Sequence, residues 1–158
     1  MPSRKNVQNT LDSTSLRELH GALIDIVCVM NRPQRDEEMV RQAGIALDRA
    51  LFPLLVMIER LGPIGIVDLA DRVGRDYTTV SRQVSKLEKL GLAQRHESPA
   101  DRRIREVIIT AQGKAMTDKV DAARETMART IFADWEDGEV KDLIRLMCRF
   151  ANAVTQGD

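Results

Sequence analysis

Apolar positions recur at helical intervals over most of this chain and crowd at strand-like density in one stretch. Leu16, Leu19, Leu23, Ile26 and Met30 follow at intervals of 3, 4, 3 and 4, the spacing of a helix lying along another helix. That helix is expected to end near Asn31, because Pro33 restricts the residue before it. Arg35 to Gln42 reads as a charged connector, helical in part, which Gly44 breaks. A second helix is expected from about Asp48, its candidate cap, to Leu61, with Leu51, Leu54, Leu55 and Ile58 facing inward. Pro53 lies beyond the first turn of such a helix, so the helix either starts later or bends there. Leu61-Gly-Pro-Ile-Gly65 then stops it.

Ile66 to Val73 forms a short helix with Ile66, Leu69, Ala70 and Val73 on one face, and Gly74 supplies a turn. The next helix has Asp76 as its cap and Gly91, followed by apolar Leu92, as its left-handed stop. Its stripe is Val80, Val84 and Leu87. Thr78, Arg82, Ser85 and Lys89 lie roughly opposite, with Thr79, Ser81 and Lys86 on the flanks, and Glu88 is the only acid between the caps. Two short helices around a tight glycine turn, the second basic on its outer face, are the plan of a helix-turn-helix.

From Leu92 to Thr110 the pattern becomes that of a hairpin. Ser98-Pro-Ala-Asp101 is its turn, and Ile104, Val107, Ile108 and Ile109 favour strand. Arg102, Arg103 and Arg105 crowd the tip and the return, the placement of a wing whose arginines enter a minor groove. Thr110 caps a long helix carrying Met116, Val120, Ala123, Met127 and Ile131. After the interruption Ala133 to Glu139, a last helix carries Val140, Leu143, Met147, Phe150 and Val154. The fold class is mainly α with a small β wing. Residues 48–110 are expected to form a winged helix-turn-helix, 14–47 and 111–158 a second, helical region, and 1–13 a flexible segment.

Composition limits the function. The 158 residues carry 24 basic and 24 acidic side chains, so a nucleic-acid surface has to come from segregated charge. Between Arg75 and Glu106 eight basic residues face five acidic ones, a local excess of three. Five aromatic residues are too few for base-stacking platforms. No apolar run approaches the ~20 residues of a membrane span, and the N-terminus lacks an apolar segment behind its charges, so a soluble cytoplasmic protein is expected. Cys28 and Cys148 sit in apolar helical patterns and are expected to be buried free thiols. His20 and His96 are too scattered for a zinc site, and His20 reads as an ordinary helix histidine. Trp135 is expected to bury its ring at the turn between the last two helices. Neither metal nor cofactor is expected. No nucleophile–base pair or phosphate loop can be assembled, so an enzyme is not expected.

The element order, with Leu69-Ala70, Thr79-Val80-Ser81-Arg82, Leu87-Glu-Lys-Leu-Gly-Leu92, Arg95, Asp101-Arg-Arg103, Thr110 and Gly113, resembles the MarR family of dimeric winged-helix transcriptional regulators. The resemblance spans nearly the whole chain, although Pro53 and the connector Arg35 to Gln42 are less typical of it. It implies that Arg103 enters the minor groove, that Asp101 stabilises the wing, and that Thr78, Thr79, Ser81, Arg82 and Lys86 face the major groove. It also implies that the first helix and the last two interlock two subunits, which makes 14–47 and 111–158 a helical dimerisation region.

Chemistry refines those roles. Arg82 suits bidentate reading of guanine and Lys86 suits phosphate. Ser85 and Arg102 complete the DNA-binding set, and Lys89, near the helix end, faces solvent or a distant phosphate. The expected function is a homodimer that binds a pseudo-palindromic duplex and represses transcription until a small-molecule effector releases it. Two alternatives are a winged-helix protein–protein interaction module without DNA binding and a thiol-based redox regulator acting through Cys28.

Overall fold

The computed structural model describes residues 12–156. The elements are α1 (Ser13–Met30), α2 (Pro33–Ala43), α3 (Phe52–Leu61), β1 (Ile64–Gly65), α4 (Ile66–Val73), α5 (Tyr77–Lys89), β2 (Ala93–Glu97), β3 (Arg105–Ile109), α6 (Ala111–Ile131) and α7 (Asp137–Thr155). Most of the 1–13 segment expected to be flexible lies outside the described residues. Asp12 caps α1 by accepting from the Ser15 amide at 2.6 Å, so Ser13 is already helical.

One core holds the middle of the chain together. Leu54, Leu55 and Ile58 of α3, Leu69 of α4, Val80, Val84 and Leu87 of α5, Val107 of β3 and Val120 of α6 are fully buried. The expected stripes of α3, α4 and α5 therefore converge, and removing their surface from water supplies the main force for their assembly. Met39, Ile45 and Leu47, from α2 and the loop after it, join the same cluster.

Three local features differ from the sequence expectation. The charged connector is a complete helix, α2. Pro33 occupies its first turn, where no amide bond is lost, and Gly44 ends it at φ 64°. Arg41 and Gln42 donate to Glu38 along its exposed side. The second helix begins at Phe52 rather than Asp48, so Pro53 falls inside its first turn. Asp48 instead closes a turn, accepting from the Ala50 amide at 2.7 Å. The stop segment also contains β1, in which Ile64 pairs with Val107 and Gly65 with Glu106, giving a three-stranded antiparallel sheet in the order β1-β3-β2.

The two long terminal elements behave differently from the core. Neither α1 nor α7 buries a single residue within the chain. Leu16, Leu19, Ile26 and Met30 on α1, and Met147, Phe150 and Val154 on α7, are exposed although they form the expected stripes. The same cause corrects the expectation of buried thiols, because Cys28 and Cys148 lie on these helices and are exposed. Trp135 is likewise 45% exposed and meets the Phe132 ring edge-on at a centroid distance of 5.1 Å, rather than being buried.

Candidate nucleic-acid interface

The turn between α4 and α5 is made by Gly74 at φ 65°, a conformation most side chains avoid. Asp76 then starts α5 twice over. Its Oδ1 accepts from the Thr79 amide at 2.9 Å and its Oδ2 from the Thr79 hydroxyl at 2.5 Å. The two bonds hold the Asp76 carboxyl below its ordinary pKa. Arg75 fastens the turn from behind, donating to the Ala50 carbonyl at 3.0 Å and to Gln83 Oε1 at 2.9 Å.

With Val80, Val84 and Leu87 buried, the helical period turns Thr78, Arg82, Lys86 and Lys89 to solvent. Among the described residues, no carboxylate lies within ion-pair distance of Arg82 or Lys86. Thr79, Ser81 and Ser85 are half-buried. The Thr79 hydroxyl serves the cap, and those of Ser81 and Ser85 both accept from Arg95.

The wing leaves the helix through a tight junction. Gly91 adopts φ 74°, and the amide of buried Leu92 donates to the Leu87 carbonyl at 2.9 Å. The Thr110 hydroxyl donates to the Gly91 carbonyl at 2.6 Å and accepts from the Gly113 amide at 3.0 Å. One side chain thus ties the end of α5, the end of the wing and the start of α6.

Within the wing, β2 and β3 pair from Ala93↔Ile109 to Glu97↔Arg105. At the tip, Asp101 Oδ1 accepts from the Arg103 amide at 3.0 Å and from Arg103 Nε at 3.3 Å. Its carbonyl accepts from the Ile104 amide at 2.9 Å, and the Ser98 amide donates to the Ile104 carbonyl at the same distance. Asp101 therefore folds the tip while the Arg103 side chain stays 92% exposed. Arg102 and Arg105 are exposed beside it.

An open groove of about 320 Å³ lies between the start of α4 and the wing tip, lined by Ile66, Val67 and Asp68 of α4, by Tyr77 at the start of α5, and by Arg103 and Arg105. Exposed Tyr77 was missed in the sequence, where one aromatic at a helix start carries no pattern. The pairing of Glu88 with Arg95 was missed as well. Its signal was present, since the lone acid of α5 sits at the stripe edge that the returning strand has to pass. Among the described residues no helix is long and apolar enough to cross a membrane, and no group of three His, Cys, Asp or Glu side chains is placed to hold a metal ion.

A helix-turn-helix whose second helix exposes cations, followed by an arginine-tipped hairpin that a third strand completes, is a winged helix-turn-helix. Residues 47–104 match the sequence model of the MarR family. The uncharacterized HTH-type transcriptional regulator YdgJ of Bacillus subtilis is 26% identical over 113 residues, covering 72% of this chain and 69% of that protein. A MarR family protein from Bacillus stearothermophilus shares the fold with a TM-score of 0.74 over 92% of this chain and 99% of that one, at 16% identity. Streptococcus pneumoniae FabT, solved in complex with DNA, does so with a TM-score of 0.59 over 93% and 100%, at 15% identity. Over residues 47–104 the chain is thus similar to the MarR family, and its fold is that of a winged helix-turn-helix.

Proposed function

We propose that this protein is a cytoplasmic homodimeric repressor that binds a pseudo-palindromic duplex site and leaves it when a small molecule binds. The observation that carries the DNA reading is the pair of exposed cationic elements that the winged helix-turn-helix presents, Arg82 and Lys86 on the outer face of α5 and Arg102, Arg103 and Arg105 at the wing tip. In this reading Arg82 reads base edges with Thr78 beside it, Lys86 and Arg102 hold phosphate, and Arg103 enters the minor groove. Thr79, Ser81 and Ser85 contribute through the bonds that hold the helix and the wing in place.

The dimer is supported by α1 and α7. Two long amphipathic helices without one buried residue leave an apolar surface that a second copy would cover. Effector release is supported by a cavity of about 570 Å³ bordered by Met30 of α1, Asp36 of α2, Phe52 and Met57 of α3, and Arg124 of α6. Arg75 also lines it and reaches Gln83 of α5. A ligand that takes the Arg75 guanidinium therefore competes with a bond that positions α5, which is the differential contact a release mechanism requires.

Selection of duplexes from a random-sequence pool tests this function. Two half-sites about 34–36 Å apart are expected, with affinity falling steeply as salt rises. Arg82→Ala and Arg103→Ala are expected to weaken binding in a gel-shift titration. No enrichment, or unchanged affinity in both variants, would overturn the DNA reading.

A further inference from the structure

Not every cation on this surface is free for DNA. Arg95, in the middle of β2, turns back toward α5 and its side chain is only 19% exposed. Its guanidinium donates to the Ser81 carbonyl at 2.7 Å, to the Ser81 hydroxyl at 3.2 Å and to the Ser85 hydroxyl at 3.0 Å, and it pairs with Glu88. The Arg95 amide donates to the other Glu88 oxygen at 2.9 Å. Ser81, Ser85 and Glu88 lie at i, i+4 and i+7, so one side chain spans two turns of the helix that carries the proposed base-reading residues.

We propose that Arg95 is a positioning residue: with Glu88 it latches the wing onto the recognition helix, so that α5 and the wing tip meet DNA as one rigid unit with a set spacing. The proposal rests on the DNA-binding reading. Glu88 neutralises the charge of Arg95, which removes it from the phosphate-binding set, whereas Arg103 remains outward. Removing the latch leaves every proposed DNA-contacting side chain in place but lets the hairpin shift against the helix. Site discrimination suffers, because it needs major-groove and minor-groove contacts in register.

The test compares full-length wild type with Arg95→Gln, Glu88→Gln, the double variant and Arg103→Ala, on the duplex that the wild type selects and on a random-sequence duplex, over a range of potassium chloride. Arg95→Gln is expected to weaken binding to the selected duplex by about tenfold, the effect of one lost charge-assisted bond. The random duplex should be bound as before, and the salt slope should not change. Glu88→Gln is expected to act in the same direction, and the double variant to be no worse than Arg95→Gln. Arg103→Ala should instead lower the salt slope by about one.

A phosphate role for Arg95 predicts the opposite pattern, a slope lowered by about one together with tighter binding by Glu88→Gln, and that result overturns the latch. So does unchanged discrimination in both variants. If the wild type selects no duplex, the DNA reading fails. Hydrogen exchange then decides the latch by itself: faster exchange of the β2 amides and the last turn of α5 in both variants supports it, and unchanged exchange overturns it.

Discussion

Replacing Gly113 by alanine should destabilise the protein, although the usual effect of that change in a helix is the reverse. Gly113 lies in the first turn of α6, and a Cβ built there would stand 2.1 Å from the Leu92 carbonyl oxygen, 2.7 Å from Ile109 Cγ1 and 3.0 Å from the Leu92 carbonyl carbon. The oxygen is backbone, held by the Thr110 amide at 3.1 Å, and sits between the stop of α5 and the start of β2. Relief therefore requires α6 to move away from the junction that Thr110 closes. Alanine gains about 1 kcal/mol of helix propensity. Overpacking costs about 1–3 kcal/mol and more where the neighbour cannot yield, so a net loss of about 2 kcal/mol is expected. For a chain of this size that lowers Tm by about 4–8 °C in calorimetry at fixed protein concentration. Gly138→Ala is the control, because nothing lies within 4 Å of its Cβ; it should be neutral or gain up to about 1 kcal/mol. A Gly113→Ala protein melting at or above wild type refutes the close-approach argument.

Asp76 and Asp36 predict opposite pH behaviour. Thr79 holds the Asp76 pKa below its unfolded value. Its stabilisation is therefore complete above about pH 4 and is lost as pH falls through the folded value. Asp76→Ala should melt below wild type at pH 7, and the gap should narrow below about pH 4; a constant gap in pH-dependent circular dichroism melts would exclude the linkage. Burial raises the Asp36 pKa against the weaker pull of Arg35, Arg75 and Arg49. The stability associated with its protonated form is present below the unfolded pKa and lost as pH rises through the folded one. Asp36→Asn should therefore melt above wild type at pH 7 and lose that advantage in acid, and a lower Tm at pH 7 would mean that the arginines dominate. On α7, Phe150→Glu places a charge on the exposed apolar stripe and should shift the protein toward monomer in sedimentation velocity, whereas an unchanged dimer would place the seam elsewhere.

The fold was legible wherever one element carried its own complete signal. Asp76 and Gly91 bound α5 because caps act within a few residues of sequence, and Val80, Val84 and Leu87 gave its buried face through periodicity alone. The wing turn was visible for the same reason. α2 was obscured because Met39 is its only buried residue, so a polar helix read as a connector. β1 was hidden because a two-residue strand has no periodicity and exists only through its bonds to β3. The expected burial of Cys28 and Trp135 followed from reading any apolar stripe as core, whereas the stripes of α1 and α7 find no partner inside one chain.

The site was legible as a set of residue types and less so as a set of roles, and its arginines show why. Arg82, Arg95, Arg103 and Arg75 carry the same fork of donors on the same flexible stem, so nothing intrinsic separates them. Their neighbours do. Arg82 has no carboxylate within ion-pair reach among the described residues, which leaves its donors for an external ligand. Arg103 gives one donor to Asp101 yet extends from the tip, so the bond orients it without using up its outer edge. Arg95 spends its guanidinium on Glu88 and two serines, and Arg75 spends one of its nitrogens on Ala50 and Gln83. Acids and carbonyls from distant parts of the sequence thus divide the arginines into two that face outward and two that hold the outward ones in place. Loss of a holding arginine should impair discrimination before it impairs affinity, and loss of an outward one should do both at once.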